Sequence, residues 1–106
     1  MKSNPLTEST FYILLALATE PLHGYGIIKK VEILSNNSIN LAAGTLYGAL
    51  ENLKKTKLVT QLALEDISRR KVYQITDKGI EVLTNDYLRI KNLYLVAENI
   101  LKKGEK

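Results

Sequence analysis

The chain contains no cysteine. Disulfides, thiolate metal sites and thiol catalysis are therefore excluded, and a reducing cytoplasm is the expected compartment. Histidine occurs once, as His23, and no carboxylate cluster stands near it to complete a metal site. There is no glycine-rich phosphate loop and no Ser/His/Asp set. Glu65 and Asp66 are adjacent in a turn-like stretch and make a poor acid/base pair. An enzyme is not expected, and no cofactor is implied. The longest apolar run, Phe11 to Ala18, is too short to span a bilayer, and the first residues lack the basic-apolar-small order of a signal peptide. Low-complexity segments and internal repeats are absent as well.

What is present is an ordinary soluble composition, 45% apolar and 25% charged, in 106 residues, enough for one domain. The net charge of +4 is unevenly placed. Residues 1–42 sum to zero, whereas residues 54–71 carry six basic and two acidic side chains. Lys54, Lys55 and Lys57 form one basic cluster, and Arg69, Arg70 and Lys71 form another. Local basic clusters on a small domain point to a polyanionic partner.

The periodicity predicts a first helix from Thr7 to Thr19, with Thr7 as cap and Glu8 favourably placed on the helix dipole. Its core is apolar nearly all round and requires cover on more than one side. Glu20-Pro21-Leu22-His23-Gly24 breaks it. A second helix follows from Gly24 to Leu34, with Ile27, Val31 and Leu34 inward. Ser35-Asn36-Asn37-Ser38 reads as a loop and Ile39-Asn40-Leu41 as a very short strand. A third helix runs from Gly44–Thr45 to Lys55 on a buried stripe of Leu46, Leu50 and Leu53. Tyr47, Glu51 and Lys54 form an outward row; Gly48, Asn52 and Lys55 form the next. Leu58–Leu64 and Arg69–Ile75 read as two strands around a turn at 65–68, with Val59 able to pair with Tyr73 and Ile75.

The last helix is capped by Thr76 and runs to Lys103, where Gly104 stops it. Ile80, Leu83, Tyr87, Ile90, Tyr94, Ala97 and Leu101 follow one another at spacings of 3, 4, 3, 4, 3 and 4, an unbroken heptad register widened by Leu93, Val96 and Ile100. Such a rod, roughly 40 Å at 1.5 Å per residue, outreaches a domain of this size. A second copy of the chain is its expected cover.

The order of elements predicts a mainly α fold with a small β-hairpin: a winged helix-turn-helix over residues 1–78 and a dimerisation helix over 79–106. In that arrangement the third helix meets the major groove of double-stranded DNA. Asn52 suits an adenine edge, Tyr47 a phosphate or thymine methyl, and Gly48 a close backbone approach. Ser68, Arg69, Arg70 and Lys71 would meet an adjacent phosphate or the minor groove. Tyr25, Thr45, Lys54 and Lys55 complete the expected DNA-facing set.

Several segments taken together resemble the PadR family of bacterial transcriptional regulators. They are Leu6–Leu17, His23-Gly24-Tyr25-Gly26-Ile27, Gly44-Thr45-Leu46-Tyr47-Gly48-Ala49-Leu50 with Leu53 and Leu58-Val59, and Arg69–Gly79. Beyond Gly79 the likeness is one of length, to the family's short branch with a single C-terminal helix. The resemblance implies a homodimer in which the last helix of one chain packs on the first helix of the other. Phe11, Leu14, Leu15, Tyr87, Ile90, Leu93, Tyr94, Ala97 and Leu101 would lie at that interface. It also implies repression at a dyad-symmetric operator, relieved in some members by small aromatic or phenolic ligands. Tyr12, Tyr87, Ile90 and Tyr94 are the candidates to line such a ligand site. The chain has no Trp on its last helix; Ile90 stands near where drug-sensing members carry one. His23 is expected to order the turn before the second helix. A winged-helix module that binds protein and not DNA is the alternative class, and the basic third helix and wing favour the first.

Overall fold

The computed structural model describes residues 5–62 and 70–102. The chain forms α1 (Glu8–Thr19), β1 (Leu22–His23), α2 (Gly24–Leu34), α3 (Ala43–Lys55), β2 (Val59–Leu62), β3 (Val72–Ile75) and α4 (Asp77–Lys102). The sequence-predicted turn at 65–68, and the expected end of the last helix at Lys103 and Gly104, lie outside the described residues.

α1 is central. Thr7 caps it, its side chain accepting a hydrogen bond from the Thr10 N–H at 3.1 Å, an arrangement worth about 1 kcal/mol. Ile13, Leu14, Ala16 and Leu17 are buried, and Phe11, Tyr12 and Leu15 are half-buried around them. The all-round apolar character of α1 is explained by its neighbours: α2, β3 and α4 each pack on it.

The break after α1 does more than turn the chain. Leu22 pairs with Tyr73 and His23 with Val72, so this two-residue stretch is an edge strand of a three-stranded antiparallel sheet in the order β1-β3-β2. On the other side Val59 pairs with Ile75 and Leu62 with Val72. The expected strand at Ile39–Leu41 is not formed. The N–H of Ile39 is held by the Ser35 hydroxyl at 3.0 Å, and the free edge of β3 is already taken by β1.

α2 begins on His23, whose Nδ1 accepts from the Gly26 N–H at 3.1 Å, as an N-cap should. Ile27 and Val31 face the core, but Leu34, expected to continue that stripe, is exposed. The chain has by then begun its turn: Asn36 and Asn37 adopt φ of 54° and 67°, a conformation asparagine tolerates better than most residues. α3 buries Leu46, Leu50 and Leu53 against α2 and the sheet. It ends with Leu58 N–H donating to the Leu53 carbonyl at 2.9 Å and Lys57 N–H to that of Lys54 at 3.0 Å. These paired bonds form a Schellman cap, and Lys57 occupies its left-handed position with φ of 66°.

Thr76 ties α4 to this corner. Its hydroxyl accepts from the Gly79 N–H at 3.0 Å and donates to the Lys57 carbonyl at 2.7 Å, while its own N–H donates to the Leu58 carbonyl. A Cβ on Gly79 would run into that same Leu58 carbonyl oxygen, so the helix can start here only on glycine. Gly79, Leu83 and Asp86 are buried. From Tyr87 onward the rod leaves the body. It leaves Tyr87, Leu88, Ile90, Leu93 to Val96, Ile100 and Leu101 exposed. The radius of gyration of 16.0 Å exceeds the roughly 13 Å of a compact chain of this length because of this projection. Ile80, counted in the heptad stripe from sequence, is also exposed; Leu83 alone of the first heptad turns into the monomer core.

Candidate nucleic-acid interface

The outward side of α3 is assembled by burial of its leucines. With Leu46, Leu50 and Leu53 inward, Thr45, Tyr47, Gly48, Glu51, Asn52 and Lys55 are all left exposed. Gly44 and Gly48 have no atom within 4 Å of where a Cβ would stand, so the face between the longer side chains is recessed. Among the described residues the Asn52 amide has no intramolecular hydrogen-bond partner, and Lys55 and Lys71 have no ion-pair partner. These groups are free to engage something else.

Tyr47 is 46% exposed and leans toward α2. Its ring lies against Gly24 at the first turn of α2, so close that a Cβ on that glycine would meet the phenol. Tyr25 stands one residue on, exposed, stacked on His23 with ring centroids 6.5 Å apart and planes 9° from parallel. The Lys29 ammonium lies 5.5 Å from the Tyr25 ring centroid, within cation–π range. Two tyrosines and a lysine thus flank the start of α2 beside α3.

The sheet joins the same surface. Lys54 Nζ contacts Glu51 Oε2 at 3.3 Å and donates to Gln61 Oε1 on β2 at 3.4 Å. Lys54, expected as a free DNA contact, is therefore engaged within the chain and its side chain is 31% exposed. Tyr73 on β3, the register partner of Gln61, is buried. Burial pushes its phenol above the usual tyrosine pKa, and the neighbouring Tyr47 and Glu51 push it further up. Arg70 and Lys71 are exposed on the approach to β3. Ser68 and Arg69 lie outside the described residues. Glu51, omitted from the expected contacts, stands in the middle of the assembled face; its place in the Tyr47–Glu51–Lys54 row was the signal that could have included it.

A second surface involves α1 and α4. A cleft of about 300 Å³ is lined by Leu6, Glu8, Phe11, Tyr12, Leu15, Asp86, Arg89 and Ile90. Of the candidate ligand residues it brings together Tyr12 and Ile90. Tyr87 and Tyr94 are not among its walls, and the Tyr94 hydroxyl donates to Glu98 at 3.1 Å. Asp86 is buried and receives two bonds from Arg89, at 2.9 and 3.4 Å, which hold the guanidinium pKa above its ordinary value. Phe11 and Leu15 face this cleft, but Leu14 is wholly enclosed in its own chain. It belongs to the monomer core and has no surface to offer a partner. Tyr87, Ile90, Leu93, Tyr94, Ala97 and Leu101 are all exposed. No helix among the described residues is long and apolar enough to cross a membrane.

Residues 13–85 match the model of the transcriptional regulator PadR-like family. The chain is 37% identical over 79 residues to an uncharacterised 37.1 kDa protein in transposon Tn4556 of Streptomyces fradiae. That match takes in 74% of the chain and 22% of the larger protein, so the chain spans about a fifth of this relative's length. Among solved structures it is similar to a PadR-like transcription factor from Bacteroides fragilis (30% identity, TM-score 0.73, covering 87% of this chain and 88% of that one). It is similar also to a transcriptional regulator from Clostridium thermocellum (25%, 0.68, 92% of each). A PadR-like regulator from Bacillus cereus matches at 25% identity and a TM-score of 0.73, over 88% of this chain and 90% of that one.

Proposed function

The chain belongs to the PadR-like family of transcriptional regulators, whose members are regulators and not enzymes, and from that premise we propose that it is a dimeric, sequence-specific DNA-binding repressor. One observation carries the reading. The exposed side of α3 presents Thr45, Gly48, Asn52 and Lys55 without internal side-chain partners among the described residues, with Tyr47 packed against α2 beside them and Arg70 and Lys71 exposed on the approach to β3. A recessed helix face with an unpaired amide and cations on both flanks matches a major groove and its bordering phosphates. Tyr25 and Lys29 at the start of α2 would reach the same backbone. Such a protein works where the chromosome is, in the cytoplasm.

Two copies are needed on this reading. The distal part of α4 exposes apolar side chains on most of its circumference, and a second chain is the cover that its heptad register suits. Phe11, Leu15 and the cleft between α1 and α4 are continuous with that surface. A small aromatic effector would enter this cleft, against Tyr12 and Ile90; its volume of about 300 Å³ lies at the lower end of ligand pockets. Filling it would disturb the docking of the partner and so relieve repression.

Selection of bound duplexes from a random DNA pool tests the proposal. Two inverted half-sites, their centres one helical turn or a multiple of it apart, are the expected result. Failure to enrich any sequence would remove DNA binding and leave a protein-binding winged helix.

A further inference from the structure

Glu51 stands in the centre of a surface otherwise suited to a polyanion. Its side chain is 64% exposed, and one of its oxygens, Oε2, is engaged by Lys54. Oε1 has no partner among the described residues. Lys54 in turn is held by Gln61 of β2. The cation of the Tyr47–Glu51–Lys54 row is thus paired with Glu51 and drawn toward the wing strand, while a carboxylate oxygen is left without a partner among the described residues. Gly48, one turn before Glu51, adds no bulk, so a flat edge can reach that oxygen.

We infer that Glu51 is a specificity-determining residue that turns the phosphate backbone away from the middle of α3 and reads an exocyclic amino group, that of cytosine, on a base edge. The inference rests on the DNA-binding reading above. An ionised carboxylate only accepts hydrogen bonds. A phosphate offers it no proton and carries like charge. In the major groove the available amino donors are N4 of cytosine and N6 of adenine. Adenine sets its N7 acceptor beside N6, and that lone pair faces a carboxylate unfavourably. Cytosine has no such neighbour on its own ring. Asn52, next along α3, carries both a donor and an acceptor and suits adenine instead. Lys54 is a positioning residue here: it holds Oε2 from the side and leaves Oε1 for the base.

The test uses the full chain as wild type, Glu51→Ala and Glu51→Gln, with the same random-pool selection and with titrations of random-sequence duplex over a range of KCl concentrations. The wild type is expected to select cytosine at one position of each half-site. In Glu51→Ala that preference falls about five- to a hundredfold, the span of one base-edge contact. Random duplex binds it more tightly, with a log–log salt slope steeper by about 0.9 for each phosphate that Lys54 then gains. Glu51→Gln keeps the shape of the side chain and shifts the selected base toward adenine, a change that a purely structural role would not produce. Should Glu51→Ala fail to fold, this isosteric variant decides alone. If the wild type selects a site while the variants show the same base preference and the same affinity for random duplex, the inference is overturned. If the wild type selects nothing, the DNA-binding reading falls and this one falls with it.

Discussion

The phenol of Tyr47 rests on the Cα of Gly24, leaving no room for a side chain there. An exposed aromatic on α3 thereby packs against the first turn of α2, so the two helices that flank the turn at 35–38 share one surface. Tyr47 also borders Tyr73 closely enough to raise its pKa, which links the same surface to the middle strand of the sheet.

Gly24→Ala should drive the Tyr47 ring outward. The clash is with the outer end of a half-exposed ring that can swing into solvent, so the cost in folding stability should stay below about 1 kcal/mol, and the larger effect should be a loss of DNA affinity because the aromatic is displaced. Gly48→Ala should do the reverse to the fold. Its Cβ meets nothing, and replacing glycine in a helix interior stabilises by about 1 kcal/mol, yet the new methyl fills the recess and weakens binding. Denaturant melts and binding isotherms on the two variants separate these effects.

Lys57 holds a left-handed backbone that costs an L side chain about 1–2 kcal/mol. Glycine there keeps both bonds of the cap without that strain, so Lys57→Gly should raise the denaturation midpoint with an unchanged m-value. A lowered midpoint would mean that the lysine side chain contributes more than its backbone costs.

Tyr73 gives the fold an alkaline limit. Its pKa is raised in the folded state, so the unfolded chain, titrating near 10, loses the proton first. The contribution is complete below that pH and is lost as pH rises through the folded value. Stability measured from pH 8 to 11 should decline at the upper end in the wild type and decline less in Tyr73→Phe. Glu51→Gln should lower the folded pKa, because the carboxylate is one of its causes.

Ile90 lies at the boundary between the cleft and the projecting rod and is 40% exposed in the single chain. A charge placed there costs little while water reaches it and several kcal/mol once a second chain covers it. Sedimentation of Ile90→Asp should therefore find the 11.9 kDa monomer, and the wild type twice that mass. A variant that stays dimeric would move the interface off this face.

Helix limits were legible in the sequence where caps and breakers are local. Thr7, His23, Thr76 and Pro21 each act through neighbours within a few residues, and the observed ends agree with them. β1 was not legible. Two residues carry no period, and Leu22–His23 become a strand only because β3 offers them an edge. The error at Ile39–Leu41 has the same root: strand character there depended on a free edge that β1 occupies. The all-round apolar character of α1 makes Leu14 as eligible for an interface as Phe11 or Leu15, and periodicity cannot say which side a second chain would cover; in the folded chain Leu14 is wholly enclosed. On α3 the leucine spacing was enough to expose Tyr47, Asn52 and Lys55. It could not reveal that Lys54 is held by Gln61, since that contact depends on where β2 runs.

The pairing of Leu22–His23 with β3 joins residues about fifty positions apart. It cannot form until the chain has been made through Tyr73. In the folded chain the central strand β3 has neighbours on both sides, β1 along Val72 and Tyr73 and β2 along its whole length. What remains open on the β1 side is an edge two residues long, too short to recruit a foreign strand. On that side the sheet is thus protected from edge-to-edge aggregation.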